Sequence, residues 1–128
     1  MSKTTKPKSE VTKKILVVED DGEMSLVLDM ILNEKKLQLD YVHNLLSAEE
    51  YLQKEEPSLI ILDNKLPDGF GVDFISYVKK KYPFTKIIMI SGFASARDVA
   101  LENGADMFFE KPFSSVDEFR EAIHRLLN

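Results

Sequence analysis

The chain has no cysteine and only two histidines, His43 and His124. Without thiols there is no disulfide scaffold, no thiolate zinc site and no cysteine nucleophile, a usage that suits a reducing compartment. Two imidazoles are too few for a histidine-rich metal site. No apolar run approaches the ~18 residues of a membrane span, and no apolar core follows the N-terminal lysines as it would in a secretory signal. Basic charge is not in excess: 17 Lys and Arg against 22 Asp and Glu leave a net charge of −5, which argues against nucleic acid as the main partner. A length of 128 residues suits one domain with a real core. The expectation is one soluble, cytoplasmic domain.

The charge is uneven. Residues 1–14 (MSKTTKPKSEVTKK) hold five Lys and one Glu, a net +4, and the other 114 residues sum to −9. The basic stretch has Pro7, several Ser and Thr, and no periodic apolar face. Residues 1–12 are expected to form a flexible basic arm, and 13–128 the folded domain.

Four apolar runs stand out: Ile15–Val18, Leu59–Leu62, Ile87–Ile90 and Met107–Phe109. The first three are continuous, as in strands buried on both faces of a parallel sheet. Gln38–Val42 is a weaker fifth strand, suited to an edge. Helical spacing fills the intervals. Met24, Val27, Leu28, Ile31 and Leu32 form a stripe behind Asp21 as N-cap. Ser47 with Glu50 reads as a capping box for a short second helix. Phe74, Ile75, Val78 and Tyr82 mark a third helix that Pro83 closes. A poorer fourth, over Ala94–Asn103, has only Ala96, Val99 and Ala100 on one face, and Asn103-Gly104 stops it. Phe119, Ala122, Ile123, Leu126 and Leu127 mark the fifth, capped by Ser114 or Ser115. A strand–helix pair repeated five times predicts an α/β fold, an open doubly wound parallel sheet with helices on both faces.

Ligands of such sheets bind at the carboxyl ends of the strands. There stand Glu19, Asp20 and Asp21 after the first run, Asp63 after the second, Ser91 and Gly92 after the third, and Glu110, Lys111 and Pro112 after the fourth. Singly, each reads equally as a helix cap or a turn. Jointly they bring carboxylates, a hydroxyl and a lysine to one sheet edge. Clustered carboxylates call for a hard divalent cation such as Mg²⁺. A cation, a lysine and a hydroxyl around one carboxylate suit phosphoryl transfer, with the carboxylate as nucleophile.

The segments ILVVEDD (15–21), LIILDNKLPDGFG (59–71), IIMISG (87–92) and GADMFFEKPF (104–113) together resemble the receiver domain of two-component response regulators, over about residues 13–128. The resemblance implies a five-stranded flavodoxin-like sheet of order 2-1-3-4-5. It implies Asp63 as phospho-acceptor, with Glu19 and Asp20 as the acidic pair that holds Mg²⁺ together with Asp63 and the Lys65 backbone carbonyl. Ser91 matches the switch hydroxyl, Phe108 the switch aromatic, and Lys111 the phosphate-binding lysine, with Lys111-Pro112 cis. Ser91, drawn inward, would vacate space for Phe108, which lacks the hydroxyl often found at its position. Lys65 and Phe93 occupy the two positions that tune acyl-phosphate hydrolysis, and a lysine with a bulky aromatic should obstruct water.

The implied donor is a sensor histidine kinase or a histidine phosphotransfer protein. The implied output is the surface of the fourth helix, fifth strand and fifth helix, acting on a downstream protein or an output domain. No nucleic-acid or membrane partner is expected of this chain, which would be a monomer or a phosphorylation-dependent dimer. It would be a stand-alone receiver or one cut from a longer regulator, regulatory rather than enzymatic. Three rivals differ at named residues. A haloacid-dehalogenase-like phosphatase wants Asp-x-Asp at the nucleophile, where this chain has Asp63-Asn64-Lys65. A flavodoxin-like cofactor protein wants a hydroxyl- and glycine-rich phosphate loop where Glu19-Asp20-Asp21 would repel one. A receiver-like module that only docks partners would not need the complete set of acceptor, acids, hydroxyl and lysine.

Overall fold

The computed structural model describes residues 12–128, so of the expected arm only the exposed Thr12 lies among the described residues. The chain runs β1 (Lys13–Val18), α1 (Gly22–Ile31), β2 (Leu37–Val42), α2 (Leu45–Lys54), β3 (Leu59–Asp63), β4 (Lys65–Leu66), β5 (Gly69–Phe70), α3 (Gly71–Lys81), β6 (Lys86–Ser91), α4 (Ala96–Glu102), β7 (Met107–Glu110) and α5 (Val116–Leu127). Strands β1, β2, β3, β6 and β7 form one parallel sheet in the order β2-β1-β3-β6-β7. Counting only these five, this is the expected 2-1-3-4-5. The antiparallel pair β4–β5 was not anticipated. Two-residue strands carry no periodic signal to read.

The continuous apolar runs divide by the two-residue period of a strand. Ile15, Val17, Leu59, Ile61, Ile88 and Ile90 face α1 and α5, joining Leu28, Ile31, Phe119 and Ile123. Leu16, Val18, Ile60, Leu62, Ile87 and Met89 face the opposite way, joining Leu52 of α2, Phe74, Ile75 and Val78 of α3, and Ala96 and Ala100 of α4. The three central strands are therefore apolar at every position between the layers. Strand β2 is half-buried and carries Gln38 and Asp40, polar residues that blunt an edge.

Three expectations about the helices change. Helix α2 opens at Leu45 with Asn44 as N-cap, not at the Ser47–Glu50 box, and Ser47 N donates to Asn44 Oδ1 at 2.7 Å. Val99 is exposed, because the seven-residue α4 meets the core only through Ala96 and Ala100. Val27 is also largely exposed, leaving Leu28, Ile31 and Leu32 as the buried part of the α1 stripe. Asp21 and Ser115 cap α1 and α5 as expected. Among the described residues, no helix is long and apolar enough to cross a membrane.

Ile61 is fully buried at the sheet centre, whereas Leu26 of α1 is 61% exposed. Ile61→Ala should cost about 2–4 kcal/mol in urea unfolding, and Leu26→Ala about 0.5 kcal/mol or less.

Candidate functional site

The carboxyl ends of β1, β3, β6 and β7 converge on a cleft of about 470 Å³, lined by Glu19, Asp20, Asp63, Lys65, Ser91, Phe93 and Lys111 among others. Parallel pairing makes the convergence: Val18 is in register with Leu62, Asp63 with Ile90, and Ser91 with Glu110. The first residues beyond each apolar run therefore reach the same height above the sheet.

Carboxylate oxygens of Glu19, Asp20 and Asp63 lie within 4.8 Å of one another. Glu19 and Asp63 are buried, at 1% and 5% exposure, and Asp20 is exposed. One ammonium joins the buried two. Lys111 Nζ stands 3.3 Å from Glu19 Oε2 and 3.2 Å from Asp63 Oδ1. Backbone N–H groups add support: Asp21 N donates to Glu19 Oε1 at 3.2 Å and Asn64 N to Asp63 Oδ1 at 2.9 Å. His43 Nδ1 lies 3.1 Å from the Glu19 carbonyl oxygen, holding the β1 end from the β2 side. That contact was not foreseen, and a single histidine in a loop gives no signal for it.

Burial pushes the Glu19 carboxyl up to about 7, the Asp63 charge adds to the push, and Lys111 opposes it. Asp63 is raised by burial against the pull of Lys111. Burial works against the Lys111 ammonium, but the Asp63 and Glu19 charges outweigh it and raise its pKa. Three carboxylates and one ammonium leave a local excess of two negative charges, and every donor in the cluster is a hard oxygen. That donor set fits Mg²⁺.

Ser91 is buried at 1%, and its Oγ accepts from Phe93 N at 3.0 Å. Phe108 is buried at 5%, with the Arg97 guanidinium 5.0 Å from its ring centroid. The Lys111-Pro112 bond is cis. Close packing also holds the end of β3. A Cβ at Gly71 would lie 2.4 Å from the Asp63 carbonyl oxygen, so only glycine lets α3 begin there.

A family model for the response regulator receiver domain matches residues 15–124. The chain belongs to the response regulator receiver domain family. This receiver is 29% identical over 119 residues to sporulation initiation phosphotransferase F of Bacillus subtilis, covering 91% of this chain and 95% of that protein. It is 33% identical over 102 residues to the response regulator protein PilR of Pseudomonas aeruginosa, covering 78% of this chain but only 23% of PilR. The receiver thus spans about a quarter of one relative and nearly all of another. Among solved structures, the beryllofluoride-activated NtrC4 receiver domain dimer superposes with a TM-score of 0.83 at 34% identity, covering 91% of this chain and 97% of that one.

The receiver's site sets a pH dependence of stability. Glu19 binds its proton more tightly when folded, at about 7 against an ordinary 4.5, so its contribution is present at low pH and is lost as pH rises through about 7. In Mg²⁺-free buffer the melting temperature should fall by about 3–5 °C between pH 6 and 8. Glu19→Gln should flatten that slope, as measured by thermal unfolding.

Proposed function

We propose that this receiver accepts a phosphoryl group on Asp63 from a phosphohistidine donor, in a Mg²⁺-dependent reaction. The observation that carries the reading is the single ammonium of Lys111 held between Glu19 and the buried Asp63. Sporulation initiation phosphotransferase F, a relative matched along 95% of its length, is itself named as a phosphotransferase. The donor is a sensor histidine kinase or a histidine phosphotransfer protein.

Glu19, Asp20, Asp63 and the Lys65 backbone carbonyl would hold Mg²⁺, which supplies charge neutralisation on the phosphoryl oxygens when bound. An Asp63 carboxylate oxygen attacks phosphorus in line. The P–N bond breaks with its electron pair leaving on the donor imidazole, and an acyl phosphate forms. The side chain passes from about −1 to about −2. Lys111, already in contact with Asp63, follows the new oxygens as their counter-charge, and Ser91 at the end of β6 donates a hydrogen bond to one of them. The same Oγ accepts from Phe93 N, so a movement of Ser91 toward the phosphoryl group is felt at the start of the β6–α4 connection.

Helix α4 is the element set to respond. It buries only Ala96 and Ala100, and its Ser95 N-cap makes no side-chain bond. Few buried anchors let an element shift at low free-energy cost. Arg97 of α4 covers Phe108 of β7, so a shift of the helix alters what the ring packs against. The face formed by α4, β7 and α5 carries a groove of about 810 Å³, lined by Arg97, Phe108, Glu118 and Arg125 among others, and this is the proposed output surface. A downstream protein, an output domain or a second phosphorylated receiver would use it. The activated NtrC4 receiver domain, a structural relative, is a dimer.

Incubation with acetyl phosphate and Mg²⁺ should add one phosphoryl mass located at Asp63 by peptide mapping. Asp63→Asn should abolish the label, and Lys111→Ala should keep labelling while uncoupling it from α4 shifts seen by NMR. Mass gained on another residue, or none on the unaltered chain, contradicts the reading.

Lys65 and the 59%-exposed Phe93 both line the cleft that holds Asp63. Their bulk obstructs water approaching the phosphorus. The acyl phosphate should persist for many minutes or longer, and a decay within seconds in a phosphate-release assay would refute this.

A further inference from the structure

Helix α2 begins with N–H groups that need acceptors from outside the helix. Asn44 supplies part of the need: its Oδ1 accepts from Ser47 N at 2.7 Å and its carbonyl accepts from Ala48 N at 3.1 Å. The remaining two acceptors come from far along the chain. Asp68 Oδ1 accepts from Leu45 N at 2.8 Å, and Asp68 Oδ2 accepts from Leu46 N at 3.0 Å. Both oxygens of one carboxylate are committed to the helix start, where the helix dipole also favours negative charge. The two N–H bonds hold the Asp68 carboxyl below the usual carboxylate range.

Asp68 lies in the turn between β4 and β5, in the loop that leaves Asp63. Its neighbour Gly69 has a φ of +153°, and a Cβ there would stand 3.1 Å from Leu45 Cδ1, so the turn lies against α2. The base of the same loop is fastened separately. Gly71 N donates to the Asn64 carbonyl at 2.7 Å, and Val72 N donates to Asn64 Oδ1 at 3.1 Å. Between these two fastenings sits Lys65, paired with Phe70. The loop is thus held at its tip by α2 and at its base by Asn64, with the Lys65–Phe70 pairing between the two.

We propose that Asp68 is a positioning residue: by bridging the two leading N–H groups of α2 it fixes the β4–β5 turn, and through that turn the Lys65 backbone carbonyl offered to the cation. The inference rests on the Mg²⁺-dependent acceptor reading given above. It also makes the coupling reciprocal, so that cation binding at the cleft stiffens the start of α2.

The test uses the full chain, Mg²⁺ alone and NMR. Amide exchange is read without the cation, and a Mg²⁺ titration gives the dissociation constant. Asp68→Ala should speed exchange at Leu45, Leu46 and Gly71 and weaken Mg²⁺ binding about tenfold, the low end for loss of a residue that orients a metal ligand. Asp68→Asn, which keeps one acceptor oxygen, should fall between. Asn44→Ala removes the other α2 cap without touching the turn. It should lower the melting temperature and leave Mg²⁺ affinity within about twofold, since the loop fastening is intact. An Asp68→Ala chain that binds Mg²⁺ as tightly as the unaltered one overturns the inference. So does an Asn44→Ala chain weakened as much as Asp68→Ala, because general loss of α2 would then suffice. An unaltered chain that binds no Mg²⁺ overturns the acceptor reading itself, and this inference with it.

Discussion

Two buried carboxylates, Glu19 and Asp63, share one ammonium, and the rest of the site is arranged around that shortage of positive charge. Burial out of water, with the Asp63 charge adding to it, is why the Glu19 carboxyl rises to about 7. A proton, a divalent cation or a stronger hydrogen-bond set can each relieve the strain. A divalent cation does so while leaving both carboxylates ionised. An excess of negative charge carried on oxygen donors alone is the donor set that suits a compact, hard divalent cation.

The fold supplies the placement. Four parallel strands end at one level because their apolar runs are in register, and the reactive residues are the first to emerge from the core. The rigid part of the molecule ends there. Beyond the strand tips, loops hold the geometry: Gly71 lets α3 start against the Asp63 carbonyl, and the β4–β5 turn is fastened to α2. On the other side lies the weakly anchored α4, with Arg97 over Phe108. A well-held Asp63 beside a weakly anchored helix suits a switch, since a local charge change can bias a bistable neighbour without unfolding the domain.

Much of this was legible in the residues. The continuous runs at Ile15, Leu59 and Ile87 announced strands covered on both faces, because no other half-buried arrangement tolerates apolar residues at every position. The grouping of Asp63, Lys111 and the acids followed once those strands were parallel. What escaped reading was long-range or very short. Helix α2 starts two residues before Ser47, capped by Asn44 and by Asp68, which no local pattern connects to Leu45. The β4–β5 pair is too short for periodicity. Arg97 lies over the Phe108 ring, and Val99 is exposed because only Ala96 and Ala100 of α4 are buried. Both are properties of packing between elements, invisible to spacing within one.

The central claim concerns charge geometry around Asp63, and the most direct measurement is a crystal structure of the chain with Mg²⁺ and beryllofluoride. The account predicts beryllofluoride on an Asp63 carboxylate oxygen, Lys111 Nζ and Ser91 Oγ on its fluorines, and the cation held among oxygens of Glu19, Asp20, Asp63 and the Lys65 carbonyl, at about 2.0–2.1 Å from those it binds directly. A cation bound elsewhere, or a Lys111 ammonium turned away from Asp63, would contradict it.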